Sequence, residues 1–99
     1  KEAFLWINQN TPENSIIIGD GIDPYTIYYS ERRLEYWDIN NLENSLKKSD
    51  YIVIHAFEHQ RPEVINYVNS ISDKITLQKA FFFDQSQQQP AVFIYKINK

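Results

Sequence analysis

Three groups of residues have the types and spacing that chemistry requires. Gly19-Asp20-Gly21 closes an apolar run and precedes Asp23-Pro24, so a carboxylate and the first amides of a helix would lie where a strand ends. His55-Ala56-Phe57-Glu58-His59 fits H-x-x-E-H, the inverted zinc-peptidase signature, whose chemistry needs both imidazoles on one helical face and a further acidic ligand. Tyr25, Tyr28, Tyr29, Tyr36 and Trp37 gather rings of the kind that stack on sugars, with Arg32 and Arg33 beside them for a phosphate or carboxylate.

Each group also has a plain structural reading. Glycines flanking an aspartate serve turn geometry, and aromatic rings at helical or strand spacing usually fill a core. His55 closes the β-rich run Tyr51-Ile-Val-Ile, and Pro62 follows soon after, so His55 and His59 are not expected to share a helix face; no metal is predicted. A dinucleotide fingerprint starting at Gly19 would need its third glycine at position 24, which is proline. No serine sits in a G-x-S-x-G elbow, and no cofactor is expected.

The elements that would carry these residues are legible in the apolar periodicity. Residues 2–9 place Ala3, Phe4, Trp6 and Ile7 at helical spacing, and Pro12 ends the helix near Asn10. Ser15 to Ile18 reads as a buried strand, Asp23-Pro24 as the start of a short helix faced by Tyr25, Tyr28 and Tyr29, and Leu34 to Ile39 as a second strand. Asn40 with Glu43 resembles a capping box for a helix whose stripe is Leu42 and Leu46, with Lys47-Lys48 at its negative end. Tyr51 to His55 is the third strand, Pro62 opens a helix with Val64, Ile65, Val68 and Ile71 on one face, and 75–83 with 91–97 form an antiparallel hairpin.

Strands alternating with helices predict an α/β fold: a Rossmann-like three-layer αβα sandwich of three parallel strands, in the order 2-1-3, plus a C-terminal antiparallel hairpin at the sheet edge. The binding crevice of such a sheet lies at the carboxyl ends of its parallel strands. That rim would hold Asp20, Gly21, Asp38, His55, Glu58 and His59.

The 99 residues, 42% hydrophobic and 15% aromatic, suffice for one core and predict a single domain over 1–99. With no cysteine there is neither a disulfide nor a thiolate site. The net charge of −3 comes from interspersed acids and bases, which argues against a nucleic-acid groove. No run approaches the roughly 18 apolar residues of a membrane span. A chain opening on Lys1 with an amphipathic segment and containing no methionine is expected to be a piece of a longer protein.

Taken together, several segments resemble the soluble domain at the C-terminal end of polytopic membrane glycosyltransferases of the protein O-mannosyltransferase and aminoarabinose-transferase type, in the glycosyltransferase-C superfamily. They are Ala3, Trp6-Ile7 and Asn10-Thr11-Pro12 before Ser15-Ile16-Ile17-Ile18; Tyr28-Tyr29 ahead of Arg32-Arg33; Leu46 and Ser49-Asp50-Tyr51-Ile52-Val53-Ile54; and Val92-Phe93-Ile94-Tyr95-Lys96-Ile97. The resemblance implies an extracytoplasmic, periplasmic or cell-surface domain tethered through a transmembrane portion of its own parent chain. The parent would move a sugar from a polyprenyl-phosphate donor, with a lipid-linked sugar or glycan acceptor as partner. The family's catalytic acids lie in the membrane portion and match no position here, so this piece is expected to be non-catalytic and to help position the acceptor.

No ligand residue is carried over from the resemblance; the strand-end rim and the aromatic concentration give Asp20, Gly21, Tyr25, Tyr28, Arg32, Arg33, His55, Glu58 and His59 as the candidate ligand-binding residues, and in this reading none is catalytic. The alternative is a free-standing α/β ligand-binding or protein-interaction module. A receiver of that type would need an aspartate where the third strand ends in His55. A small hydrolase using Asp20, Asp38 and His55 is the remaining enzymatic reading.

Overall fold

The computed structural model describes residues 2–20, 22, 28–55, 61–82 and 90–99, and of residues 90 and 91 the backbone alone. The first element is helix α1, Glu2–Asn10, with Ala3, Phe4 and Ile7 buried. Its last carbonyls are satisfied locally: Asn10 Nδ2 donates to Trp6 O at 2.8 Å, and the Thr11 amide and hydroxyl both donate to Ile7 O. Pro12, with no amide proton, prevents further helix.

Strand β1, Ile16–Ile18, and strand β2, Arg33–Glu35, pair in parallel, with Ile16 opposite Arg33. Among the described residues, a 3-10 turn, Tyr28–Ser30, precedes β2. Helix α2, Leu42–Lys47, leads into strand β3, Tyr51–His55, which pairs in parallel with β1. Helix α3, Pro62–Ser70, and a 3-10 turn, Ser72–Lys74, lead to strands β4, Ile75–Phe82, and β5, Pro90–Ile97. The five strands make one sheet in the order β2-β1-β3-β5-β4.

Alternation along the strands builds a core on each face of this sheet. Ile17, Tyr51, Val53 and Ile94 pack with Ala3, Phe4 and Ile7 of α1. Ile18, Ile52 and Ile97 pack on the other face with Leu46 of α2 and with Val64, Val68 and Ile71 from α3 and its end. Phe4, Ile7, Ile17, Ile18, Ile52 and Ile94 are wholly buried, and each such side chain contributes about 1.5–3 kcal/mol relative to leaving it exposed.

This arrangement corrects the Rossmann-like expectation. The chain forms a small mixed α/β domain around one five-stranded mixed sheet, with three helices among the described residues. The hairpin is not an appendage to a parallel sheet. β5 hydrogen-bonds along the whole of β3 in antiparallel sense, from Tyr51 opposite Lys96 to His55 opposite Val92, and so becomes an interior strand. β1 and β2 have three residues each while β4 and β5 have eight, so the antiparallel half carries most of the ladder.

Two local expectations also change. The second strand ends at Glu35 instead of Ile39, because Asp38 Oδ1 accepts from the Asn40 amide at 2.9 Å and the Asn41 amide donates to Asp38 O, which turns the chain. The cap of α2 is Asn41, not Asn40: Asn41 Oδ1 accepts from the Asn44 amide at 3.1 Å. The predicted helix start at Asp23-Pro24 lies outside the described residues.

Candidate functional site

Asp20 lies just past the end of β1 and is only 5% exposed. Arg61, immediately before α3, meets it in a two-pronged ion pair: Nη2 donates to Oδ1 at 2.7 Å and Nε to Oδ2 at 3.0 Å. The Arg61 amide adds a third donor to Oδ2 at 3.2 Å, and Nη2 also donates to Trp37 O at 2.8 Å. The hydrogen bond to Asp20 holds the guanidinium above its ordinary pKa, against the lowering effect of burial. One arginine thus joins the end of β1, the segment after β2 and the start of α3. Both Asp20 oxygens are turned to Arg61, so the carboxylate works as an anchor.

Space at Gly19 is tight. A Cβ there would crowd Ile22 Cδ1, the movable end of a side chain, and lie 3.0 Å from Val53 O, so the close approach of β1's end to β3 favours a glycine. His55 closes β3, where its ring stacks on Phe4 with centroids 5.9 Å apart. The first histidine of the H-x-x-E-H pattern is therefore on a strand. Gly21, Tyr25, Glu58 and His59 lie outside the described residues, and among the described residues no three His, Asp or Glu side chains are grouped to hold a metal ion.

Arg32 and Arg33 stand at the opposite end of the sheet from Asp20 and His55, because β1 and β2 are parallel and Arg33 begins β2 with Arg32 just before it. Arg32 Nη2 donates to Asn8 O at 3.0 Å and Thr11 O at 2.8 Å, Nε donates to Thr11 Oγ1, and Nη1 reaches Ser30 O at 3.2 Å. Arg32 therefore closes the C-terminal end of α1 against the turn that precedes β2. Arg33 is exposed on the edge strand.

The expected aromatic platform is divided. Trp37 is buried and meets Tyr67 edge-on, with centroids 6.0 Å apart. Tyr28 is 75% exposed and Tyr36 also faces outward. A shallow hollow of about 240 Å³ lies among Leu5, Asn8, Tyr28, Tyr29 and Glu31. Asn8 Nδ2 donates to Glu31 Oε2 across it, and Glu31 adopts a left-handed φ of 53°.

The larger described clefts lie at the end of the sheet where β1 and β3 begin. Asp50 organises that end: its carboxylate accepts from the Ile16 amide at 2.8 Å, its own amide donates to Ile16 O, and its carbonyl accepts from the Ile97 amide. A cleft of about 430 Å³ runs beside it, between Asn14, Ser15, Tyr51 and Lys96. A second cleft of about 430 Å³ opens between α2, α3 and the end of β5. The two share Ile97, Asn98 and Lys99.

This end lies opposite the strand carboxyl ends at which a parallel sheet usually meets its ligands, so the motifs along the strands do not point to it. Lys47, Lys74, Lys96 and Lys99 are scattered in sequence, and the antiparallel return of β5 is what gathers them. No helix among the described residues is long and apolar enough to cross a membrane. Compared with known proteins, the chain matches no family model and no curated sequence.

Proposed function

We propose that the chain is a non-catalytic extracytoplasmic domain of a membrane glycosyltransferase that uses a polyprenyl-phosphate sugar donor, and that it helps position the acceptor. The reading rests on the resemblance of its segments to the soluble domains of such enzymes. What supports the non-catalytic part is the engagement of Asp20 by Arg61: the one described carboxylate at the expected rim that is buried serves as a structural anchor. Arg32 supports it in the same way, because its donors are directed at the backbone of α1 and the following turn.

The direct test is the reading frame upstream of Lys1. At least about eight apolar segments of some 20 residues are expected there, with an acidic residue in the first outer loop. A soluble domain in their place would overturn the proposal and leave an independent interaction module. The isolated chain is expected to transfer no sugar from a polyprenyl-phosphate-linked donor in a radiolabel assay, and turnover would contradict the non-catalytic assignment.

A further inference from the structure

The cleft between α2, α3 and the end of β5 combines an apolar floor with a cationic rim. Leu46, Ile71 and Ile97 form the floor, each nearly buried, and Tyr67 closes one side. Lys47, Lys74 and Lys99 stand around the opening with one carboxylate, Glu43. Lys96 and Asp50 line the adjoining cleft. Across the two, four lysine side chains face two side-chain carboxylates, on a chain whose net charge is −3.

The ion pairs at this opening leave capacity for a ligand. Lys47 Nζ and Glu43 Oε1 are 3.4 Å apart on the exposed face of α2, a solvated pair of small energetic weight. Lys99 Nζ bridges the clefts, donating to Lys47 O at 3.2 Å and lying 3.4 Å from Asp50 Oδ1, an exposed pair of the same small weight, while Asp50 Oδ2 accepts from the Ile16 amide. Lys74 and Lys96 make no ion pair with a described residue. A single anionic head placed among Lys47, Lys74 and Lys99 would meet three ammonium groups within the reach of their flexible stems.

We propose that this cleft binds a monomeric anionic amphiphile, with its apolar part on Leu46, Tyr67, Ile71 and Ile97 and its phosphate or carboxylate head among Lys47, Lys74 and Lys99. The volume falls in the range of small-molecule sites, and a mostly apolar lining with a few convergent polar groups is their usual composition. An inorganic anion would leave the floor unused, and a neutral amphiphile would leave the lysines unused. The inference is independent of the glycosyltransferase reading.

The test is a calorimetric and amide-shift titration of the whole chain with decyl phosphate below its micellar concentration, alongside inorganic phosphate and decyl maltoside. Saturable one-to-one binding of decyl phosphate is expected, with shifts at Leu46, Ile71 and Ile97, and at least about tenfold weaker binding of both comparison ligands. The double variant Lys74→Gln, Lys99→Gln, both exposed positions, is expected to weaken binding roughly fivefold or more while the thermal midpoint stays unchanged. Lys79→Gln, on β4 beside Phe81, serves as a control expected to bind as the parent does. Equal binding of decyl maltoside, equal binding of phosphate alone, no decyl phosphate binding, or an unaltered double variant would each overturn the proposal.

Discussion

Arg32 and Gly19 illustrate how far single residues at this molecule's ends are committed to structure. Arg32 directs its guanidinium to Asn8 O, Thr11 O and Ser30 O, so removing it strips charged donors from carbonyls that α1 cannot satisfy itself. Arg32→Ala is expected to cost about 1–3 kcal/mol in urea unfolding, and Arg32→Lys to recover only part of it, because an ammonium cannot reproduce the planar fork. At Gly19 an added methyl group would meet Ile22 and the carbonyl of Val53. Gly19→Ala is expected to lower stability by about 1–3 kcal/mol, read as a reduced thermal midpoint.

At the scale of elements, the cap of α2 separates what the sequence states from what the folded chain decides. Asn40 and Asn41 both precede the helix, and the Glu43 three residues on favours Asn40 by pattern alone. The turn closed by Asp38 moves the start by one residue, and Asn41 takes the Asn44 amide. Asn41→Ala is expected to cost about 1 kcal/mol in chemical denaturation, and Asn40→Ala less than about 0.5 kcal/mol. Helix α1, strand β3 and the hairpin were legible because Phe4 with Ile7, the run Tyr51-Ile-Val-Ile and two long β-rich segments carry strong local periods. The place of β5 was not, since strand order depends on pairings between residues far apart in sequence, such as Ile94 with Val53. For the site, Asp20 was legible as a polar residue at a strand end, but its partner Arg61 lies 41 residues on and carries no local signal.

On the scale of the whole molecule, a sheet buried on both faces brings tyrosines from both sides into poorly solvated positions. Burial raises the pKa of Tyr51, with Asp50 adding to it, of Tyr67, with Glu43 adding to it, and of Tyr95. A phenol whose pKa is higher in the folded state keeps its proton after the unfolded chain has lost it. Stability is then unaffected below the ordinary value of 10.0 and falls as pH rises above it toward the folded-state values. Urea midpoints are expected to be flat with respect to these groups up to about pH 9.5 and to decline beyond pH 10. A Tyr67→Phe, Tyr95→Phe variant should show a shallower decline.

Polar residues at the strand ends tie the elements together, and the Asp20–Arg61 pair joins the end of β1, the segment after β2 and the start of α3. The most direct measurement is a double-mutant cycle of equilibrium unfolding with Asp20→Ala, Arg61→Ala and the combined variant. A coupling of at least about 1 kcal/mol is expected, reduced from that of a fully buried pair because the guanidinium is partly solvated. Additive effects within about 0.3 kcal/mol would contradict the structural assignment and return Asp20 to the candidates for chemistry.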